Sequence, residues 1–238
     1  LEDRVEHDGP AGPALVIALD VRTLAQASDL VTRLRPVTPW FKVGSVLFTA
    51  AGPEAVRLVH AAAGRVVLDL KFHDIPQTVE GGVAAAADLD VSLVTVHCAG
   101  GAAVMESAAR AAARAGGRLQ VLGVTRLTSE VGRVAPGVMR AAEAAHAAGL
   151  AGVVASAREC ARIKARFGDA FRVLTPGIRP SGVAAGDQAR TATPRQAVRA
   201  GSDYLVVGRP VLLADDPAAA AAEVAAEMAA ARTVGSGR

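Results

Sequence analysis

The chain has 238 residues, 51% of them hydrophobic and 21% charged, with a formal net charge of +3, which is enough apolar material for one sizeable core. Aromatic residues make up only 3% and the arginines are scattered, so little is available to stack on bases and a nucleic-acid surface is excluded. No run reaches the ~18 uninterrupted apolar residues of a membrane span, and Cys98 and Cys160 are isolated thiols without metal-ligand spacing, expected to be reduced and packed in a cytoplasmic protein.

Residues 1–13 are polar, carry charges of both signs and read as an arm, not a secretory leader. Strand-like apolar runs then recur, each followed by a helical stretch. The first strand is expected at 14–20, with a helix over 23–34 closed by Pro36 and Pro39. The second strand is 40–43, ending at Gly44, with a helix over 53–63. The third, 65–70, is rich in Val and Leu and leads into a helix over 76–87. Strands at 92–97 and 119–125 follow, with helices over 100–115 and 137–148. A short strand at 152–155, a helix ending near Phe167, strands at 171–174 and 204–207, and an Ala-rich helix complete the series, before a flexible tail at 233–238.

Eight strand–helix units with strands apolar on both faces indicate a parallel sheet. In this length they predict a single (β/α)8 barrel over residues 14–232 as the catalytic domain. The first strand is not followed by G-x-G-x-x-G, which argues against a dinucleotide-binding open sheet.

In such a barrel chemistry gathers at the C-terminal ends of the strands. Asp20 ends the first strand, Lys42 the second, and Asp69, Lys71 and Asp74 follow one another through the end of the third. His97 ends the fourth, Thr125 and Thr128 follow the fifth, Arg179 the seventh, and Gly208 and Arg209 the eighth. The strand interiors between these positions are apolar. Asp69 and Lys71, two apart on a strand, share a face. Two readings of that pair stand side by side: an ion pair that closes the strand end, or a lysine held for chemistry. Of 26 lysines and arginines only Lys42, Lys71 and Lys164 are lysine, and two of these sit at the ends of the apolar runs W-F-K-V-G and L-D-L-K-F. Lysine is a compact cation able to release a proton, which arginine is not.

Gly177, Gly208 and Arg209 read as a phosphate grip, because glycine lets backbone N–H groups approach an anion and the loops after strands seven and eight bind phosphate in this fold. Plain turn glycines beside a solvated arginine are the alternative. Residues 179–190, with Gly182, Gly186 and Gln188, form either a clasp over that anion or an ordinary surface loop. His73, Asp74 and His97 raise the question of a metal. Lys42 stands where a ligand would be wanted and Lys71 would repel a cation, so no metal is expected, and the two histidines are read as packing residues.

The motifs A-L-D at 18–20, F-K-V-G at 41–44, D-L-K-F-H-D-I-P-Q-T at 69–78, V-T-R-L-T-S at 124–129, T-P-G-I-R at 175–179, Asp187–Gln188 and V-V-G-R-P at 206–210 run in order through the barrel. In them the chain resembles the orotidine 5'-phosphate decarboxylase family in its short bacterial form. The resemblance implies cofactor-free, metal-free loss of CO2 from orotidine 5'-phosphate to give UMP, the last step of pyrimidine nucleotide synthesis. It implies that Lys71 protonates C6, within a charge network of Lys42, Asp69, Lys71 and Asp74. Asp74 and Thr78 would reach in from the second subunit of a homodimer with shared sites. Asp20 and Lys42 would hold the ribose, Thr128 and Gln188 the base, and Arg179, Gly208 and Arg209 the phosphate. Magnesium-dependent keto-sugar-phosphate decarboxylases and hexulose-phosphate synthases, which resemble the D-x-K-x-x-D pattern, are the alternative within the superfamily. A non-catalytic phosphate-binding barrel is the alternative outside enzymes, but it has no use for a lysine boxed by carboxylates.

Overall fold

A computed structural model describes residues 12–126, 135–180 and 191–233. Eight parallel strands pair in sequence order and close on themselves. They are β1 (Ala14–Ala18), β2 (Trp40–Gly44), β3 (Arg65–Phe72), β4 (Leu93–His97), β5 (Gln120–Val124), β6 (Gly152–Val154), β7 (Arg172–Thr175) and β8 (Tyr204–Val207). Closure runs through β1 and β8, with Ala14 opposite Tyr204 and Ile17 opposite Val207. The single (β/α)8 barrel expected from the strand pattern is the fold observed.

Around it lie α1 (Leu24–Leu34), α2 (Ser45–Ala51), α3 (Glu54–Ala61), α4 (Pro76–Asp88), α5 (Ala102–Arg114), α6 (Ala135–Ala147), α7 (Ala157–Phe167), α8 (Pro194–Arg199), α9 (Arg209–Leu212) and α10 (Pro217–Thr233). Local chemistry sets their starts. The Thr23 hydroxyl accepts from the Gln26 N–H at 3.2 Å ahead of α1. Pro76 opens α4, where its missing N–H costs nothing. Thr193 and Gln196 form a reciprocal capping box at α8. The apolar periodicity predicts no helix for α2, α8 or α9, all of seven residues or fewer. The stretch 98–101 forms a 3-10 turn and a left-handed Gly101 before α5, so that helix starts two residues later than its apolar pattern suggests.

Strand alternation divides the core in two. One set of side chains, among them Val16, Trp40, Val67, Leu93, Leu122 and Tyr204, fills the barrel interior. The other, with Ile17, Phe41, Leu68 and Val94, packs outward against the helices. Cys98 and Cys160 are free and buried, as expected of packing thiols; burial pushes their pKa up to about 12 and about 11 respectively.

Between β3 and β4 the ladder slips: Val67 faces Leu93 and Leu68 faces Val94, but the next pair is Phe72 with Val96. Residues 69–71 therefore stand opposite Thr95 alone, a bulge with two extra residues. Within it Lys71 has φ 52°, a left-handed conformation that costs a non-glycine residue about 1–2 kcal/mol.

Candidate active site

At the C-terminal mouth of the barrel lies a cavity of about 560 Å³, within the ~300–1,000 Å³ range of small-ligand sites. Its apolar floor is the top layer of the interior core: Ala18, Val124, Val154, Leu174 and Val206. Its polar wall comes from the ends of different strands: Asp20, Lys42, Asp69, Lys71, Arg126, Gly177, Arg179, Gly208 and Arg209.

On one side the charges form a chain. Lys42 Nζ lies 3.2 Å from Asp20 Oδ1 and 3.5 Å from Asp69 Oδ2. Lys71 Nζ donates to the same Asp69 oxygen at 2.8 Å. Asp69, with a side chain 13% exposed, is thus shared by two ammonium groups, of which Lys71, at 37%, is more exposed than Lys42, at 12%. The other Asp69 oxygen, Oδ1, accepts from the Thr95 hydroxyl at 2.9 Å. Burial works to raise the Asp69 pKa, but the charges of Lys42 and Lys71 and the hydrogen bonds from Lys71 and Thr95 outweigh it and hold the carboxyl below its ordinary value. Space for the Lys42 ammonium depends on Gly44, since a Cβ there would stand 2.8 Å from Lys42 Nζ.

Elsewhere on the same wall, Gly177 takes a left-handed φ of 80° and Gly208 is held in a non-helical conformation ahead of α9, next to Asp20, whose Oδ2 a Cβ at Gly208 would meet at 3.7 Å. Arg209 is exposed at the mouth. Arg179 is buried and donates to the Ile178 carbonyl at 2.9 Å. The Arg179 N–H donates to the Ala192 carbonyl at 2.9 Å, and Gly182, Gly186 and Gln188 lie outside the described residues. The arginines and glycines therefore share one cavity with the lysine–aspartate chain, which puts an anion-binding part and a candidate reacting centre in the same site.

Of the residues singled out in the sequence, Asp20, Lys42, Asp69, Lys71, Arg179, Gly208 and Arg209 line this cavity together. Asp74 and Thr78 do not line it; both are exposed, and Asp74 Oδ1 accepts from the Ile75 N–H at 2.6 Å. Ile75 between them is 63% exposed, unusual for a large apolar side chain. Thr128 and Gln188 lie outside the described residues. His73 and His97 stack on each other with ring centroids 5.1 Å apart. Among the described residues no group of three His, Cys, Asp or Glu side chains is placed to hold a metal ion, and no helix is long and apolar enough to cross a membrane.

Thr95 and Arg126 are absent from the sequence reading. Thr95 was signalled, as the one polar residue inside the run L-V-T-V and on the inward face by alternation with Leu93. Arg126 had a weaker signal, lying one residue past Thr125 among the residues after β5.

A profile of the orotidine 5'-phosphate decarboxylase / HUMPS family matches residues 13–224. A protein of Halorhodospira halophila named orotidine 5'-phosphate decarboxylase is 51% identical over 232 residues, 93% of this chain and 98% of its own. One of the same name from Moorella thermoacetica is 47% identical over 230 residues, covering 90% of this chain and 91% of its own. The crystal structure of orotidine 5'-phosphate decarboxylase from Lactobacillus acidophilus superposes with a TM-score of 0.79 at 34% identity, over 91% of this chain and 99% of that one. The profile runs from the residue before β1 into α10 and takes in every strand that supplies the cavity wall: this chain belongs to the orotidine 5'-phosphate decarboxylase / HUMPS family.

Proposed function

We propose that the chain is an orotidine 5'-phosphate decarboxylase that converts its substrate to UMP and CO2, with Lys71 as the proton donor. The observation that carries this is the Asp69 carboxylate shared between Lys42 and Lys71 at the cavity wall, in the same cavity as Arg179, Gly208 and Arg209. The family embraces sugar-phosphate enzymes as well, and the relatives at 47% and 51% identity separate the two branches, because both bear the decarboxylase name.

Decarboxylation at C6 breaks the C6–carboxylate bond and leaves its electron pair on a ring carbon. The reaction is easiest where a fixed cation meets that carbon as charge develops. The Lys71 ammonium supplies it, then transfers one N–H proton to C6 and regains a proton from solvent. Asp69 holds that ammonium in place from behind. Asp20 and Lys42 suit ribose hydroxyls, one accepting and the other donating, and Arg209 with the Gly177 and Gly208 backbone suits the phosphate. Thr128 and Gln188 are assigned the base by resemblance alone. Phosphate binding far from C6 offers interaction energy that can be spent on closing residues 179–190 over the ligand.

Asp74 and Thr78 belong to this reading as contributions to the site of a second copy in a homodimer. Their exposure beside Ile75, away from their own cavity, supports that assignment. The protein is read as cytoplasmic, where pyrimidine nucleotides are made, and as needing neither metal nor organic cofactor.

The test is an ultraviolet assay of orotidine 5'-phosphate loss with and without EDTA, on the wild type and on Lys71→Arg. The wild type should turn over equally in both buffers and the variant should lose nearly all activity, since a guanidinium keeps the charge but does not release a proton. Activity abolished by EDTA and restored by magnesium would transfer the chain to the sugar-phosphate branch. A Lys71→Arg enzyme with a tenth of wild-type kcat, about 1.4 kcal/mol of barrier, would make Lys71 an electrostatic group and not the donor.

A further inference from the structure

The β3–β4 bulge leaves a specific deficit. In a regular parallel ladder the Lys71 N–H would be bonded by a backbone carbonyl of the neighbouring strand. Here residues 69–71 face a single residue of β4, and the Lys71 N–H donates instead to a side chain, Thr95 Oγ1, at 2.9 Å. The same hydroxyl spends its one proton on Asp69 Oδ1, also at 2.9 Å. Thr95 is fully buried in the barrel interior.

We propose that Thr95 is a positioning residue for the decarboxylation: its hydroxyl fixes the backbone of the proton donor and the carboxylate of the donor's counter-ion in one register. The proposal rests on the reading of Lys71 as proton donor. Thr95 touches neither the cavity nor a reacting atom; it acts through the two residues it bridges.

The geometry gives it two tasks. Lys71 carries a left-handed φ, a strained conformation that persists only where its surroundings hold it; the hydroxyl is the acceptor that holds its amide. Asp69 has two oxygens with separate duties. Oδ2 faces both ammonium groups and Oδ1 faces Thr95. A carboxylate turned partway about its Cβ–Cγ bond would take Oδ2 off both ammonium groups, and the bond from Thr95 to Oδ1 opposes that turn. The same bond is one of the interactions that keep Asp69 ionised against burial.

Without the hydroxyl, a buried N–H and a buried carboxylate oxygen each lose their partner. Thr95→Val, nearly identical in shape, should lower kcat for orotidine 5'-phosphate by about 10- to 100-fold. KM should stay within about 3-fold, because the phosphate wall is untouched. The acid limb of the kcat–pH profile should move to higher pH, since Asp69 ionises less readily without its hydrogen bond. Thr95→Ser, which keeps the hydroxyl, should restore both the rate and the profile. Wild-type kcat and an unmoved acid limb in Thr95→Val would overturn the proposal, as would Thr95→Ser behaving like Thr95→Val. If Thr95→Val does not fold, Thr95→Cys, a weaker donor and acceptor, must show the same directions, and wild-type behaviour there overturns it. A merely structural threonine would lower the melting temperature and leave the acid limb in place. Absence of turnover in the wild type would remove the proton-donor reading and this one together, whereas an active wild type with an unaffected Thr95→Val removes this one alone.

Discussion

Three lysines in a chain that otherwise uses arginine show what an ammonium can do in a confined place. Lys164 pairs with Asp203 at 2.7 Å and donates to the Asp169 and Phe171 carbonyls at 3.2 and 3.0 Å, at the start of β7 and β8. Asp203 in turn binds Arg172 and the Val173 N–H. That cluster sits at the end of the barrel opposite the cavity and fastens strands. Scarcity of lysine therefore marks positions that need a small cation with several acceptors, and it takes the strand end to separate Lys42 and Lys71 from Lys164. Asp69 is where the electrostatics can be read by titration. Its pKa is depressed in the fold, so the stabilisation it supplies is complete above the ordinary value of 3.8 and is lost as pH falls through the lower folded value. Denaturant unfolding of wild type and Asp69→Asn should show a stability gap that is constant from neutral pH down to about pH 4 and shrinks below it. The gap at neutral pH arises because the asparagine takes the shared carboxylate from both ammonium groups, leaving Lys42 with Asp20 alone and removing the carboxylate that Lys71 pairs with. A gap that persists undiminished to pH 3 would mean that the carboxylate is not held by these partners.

At the scale of elements, the ends of β2 and β3 set the site, and two glycines show which parts of that architecture can yield. A Cβ on Gly44 would meet the Lys42 ammonium at 2.8 Å and Asp20 Oδ1 at 3.4 Å, both ends of side chains. A Cβ on Gly152 would lie 2.1 Å from the Arg172 carbonyl oxygen, which belongs to the paired backbone of β7. Gly44→Ala should leave stability within about 1 kcal/mol of wild type while lowering kcat/KM at least tenfold, because Lys42 is pushed off its carboxylates. Gly152→Ala should cost about 3 kcal/mol or more, or fail to fold. Chemical denaturation beside the activity assay separates the two; a Gly44→Ala enzyme of normal activity would show that the placement of Lys42 is unimportant. The strands themselves were legible, since apolar runs bounded by Gly, Pro and charge have few other solutions, and period two placed Asp69 and Lys71 on one face, where they pair. The bulge was not legible: nothing local in D-L-K-F says that three residues will face one, because the slip is decided by pairing with β4. Short helices escaped for two reasons. α2 follows β2 without an intervening turn, and α8 is too brief for a periodicity to build up, although Thr193, Pro194 and Gln196 spell its capping box. Thr95 could be placed on the inward face by alternation, but its role could not be read, because the two partners of its hydroxyl are brought to it by the bulge.

For the whole molecule, the question is why a segment carrying Asp74, Ile75 and Thr78 should be built firmly and yet face away from its own cavity. It is firmly built: Pro76 opens α4, Asp74 Oδ1 accepts from the Ile75 N–H, and Ser107 of α5 donates to the Pro76 carbonyl at 3.0 Å. The exposed Ile75 would, under the proposed sharing, be covered in the two-fold interface together with Asp74 and Thr78. In a two-fold dimer the same patch meets its own copy, and whatever one protomer lends to its partner it also receives. Under the proposed sharing, Lys71 of one site and Asp74 of the same site come from different chains. Lys71→Ala and Asp74→Asn homodimers should each be nearly inactive. In a hybrid of the two, one site collects both defects and the other receives a wild-type Lys71 and a wild-type Asp74. Unfolding and refolding an equal mixture should make about half of the dimers hybrid, each with one intact site, so roughly a quarter of wild-type activity should return. Native-gel separation or mass measurement establishes that hybrids formed. If Asp74 served the Lys71 of its own chain, every site in that mixture would carry a defect, and no activity would return however completely the subunits had exchanged.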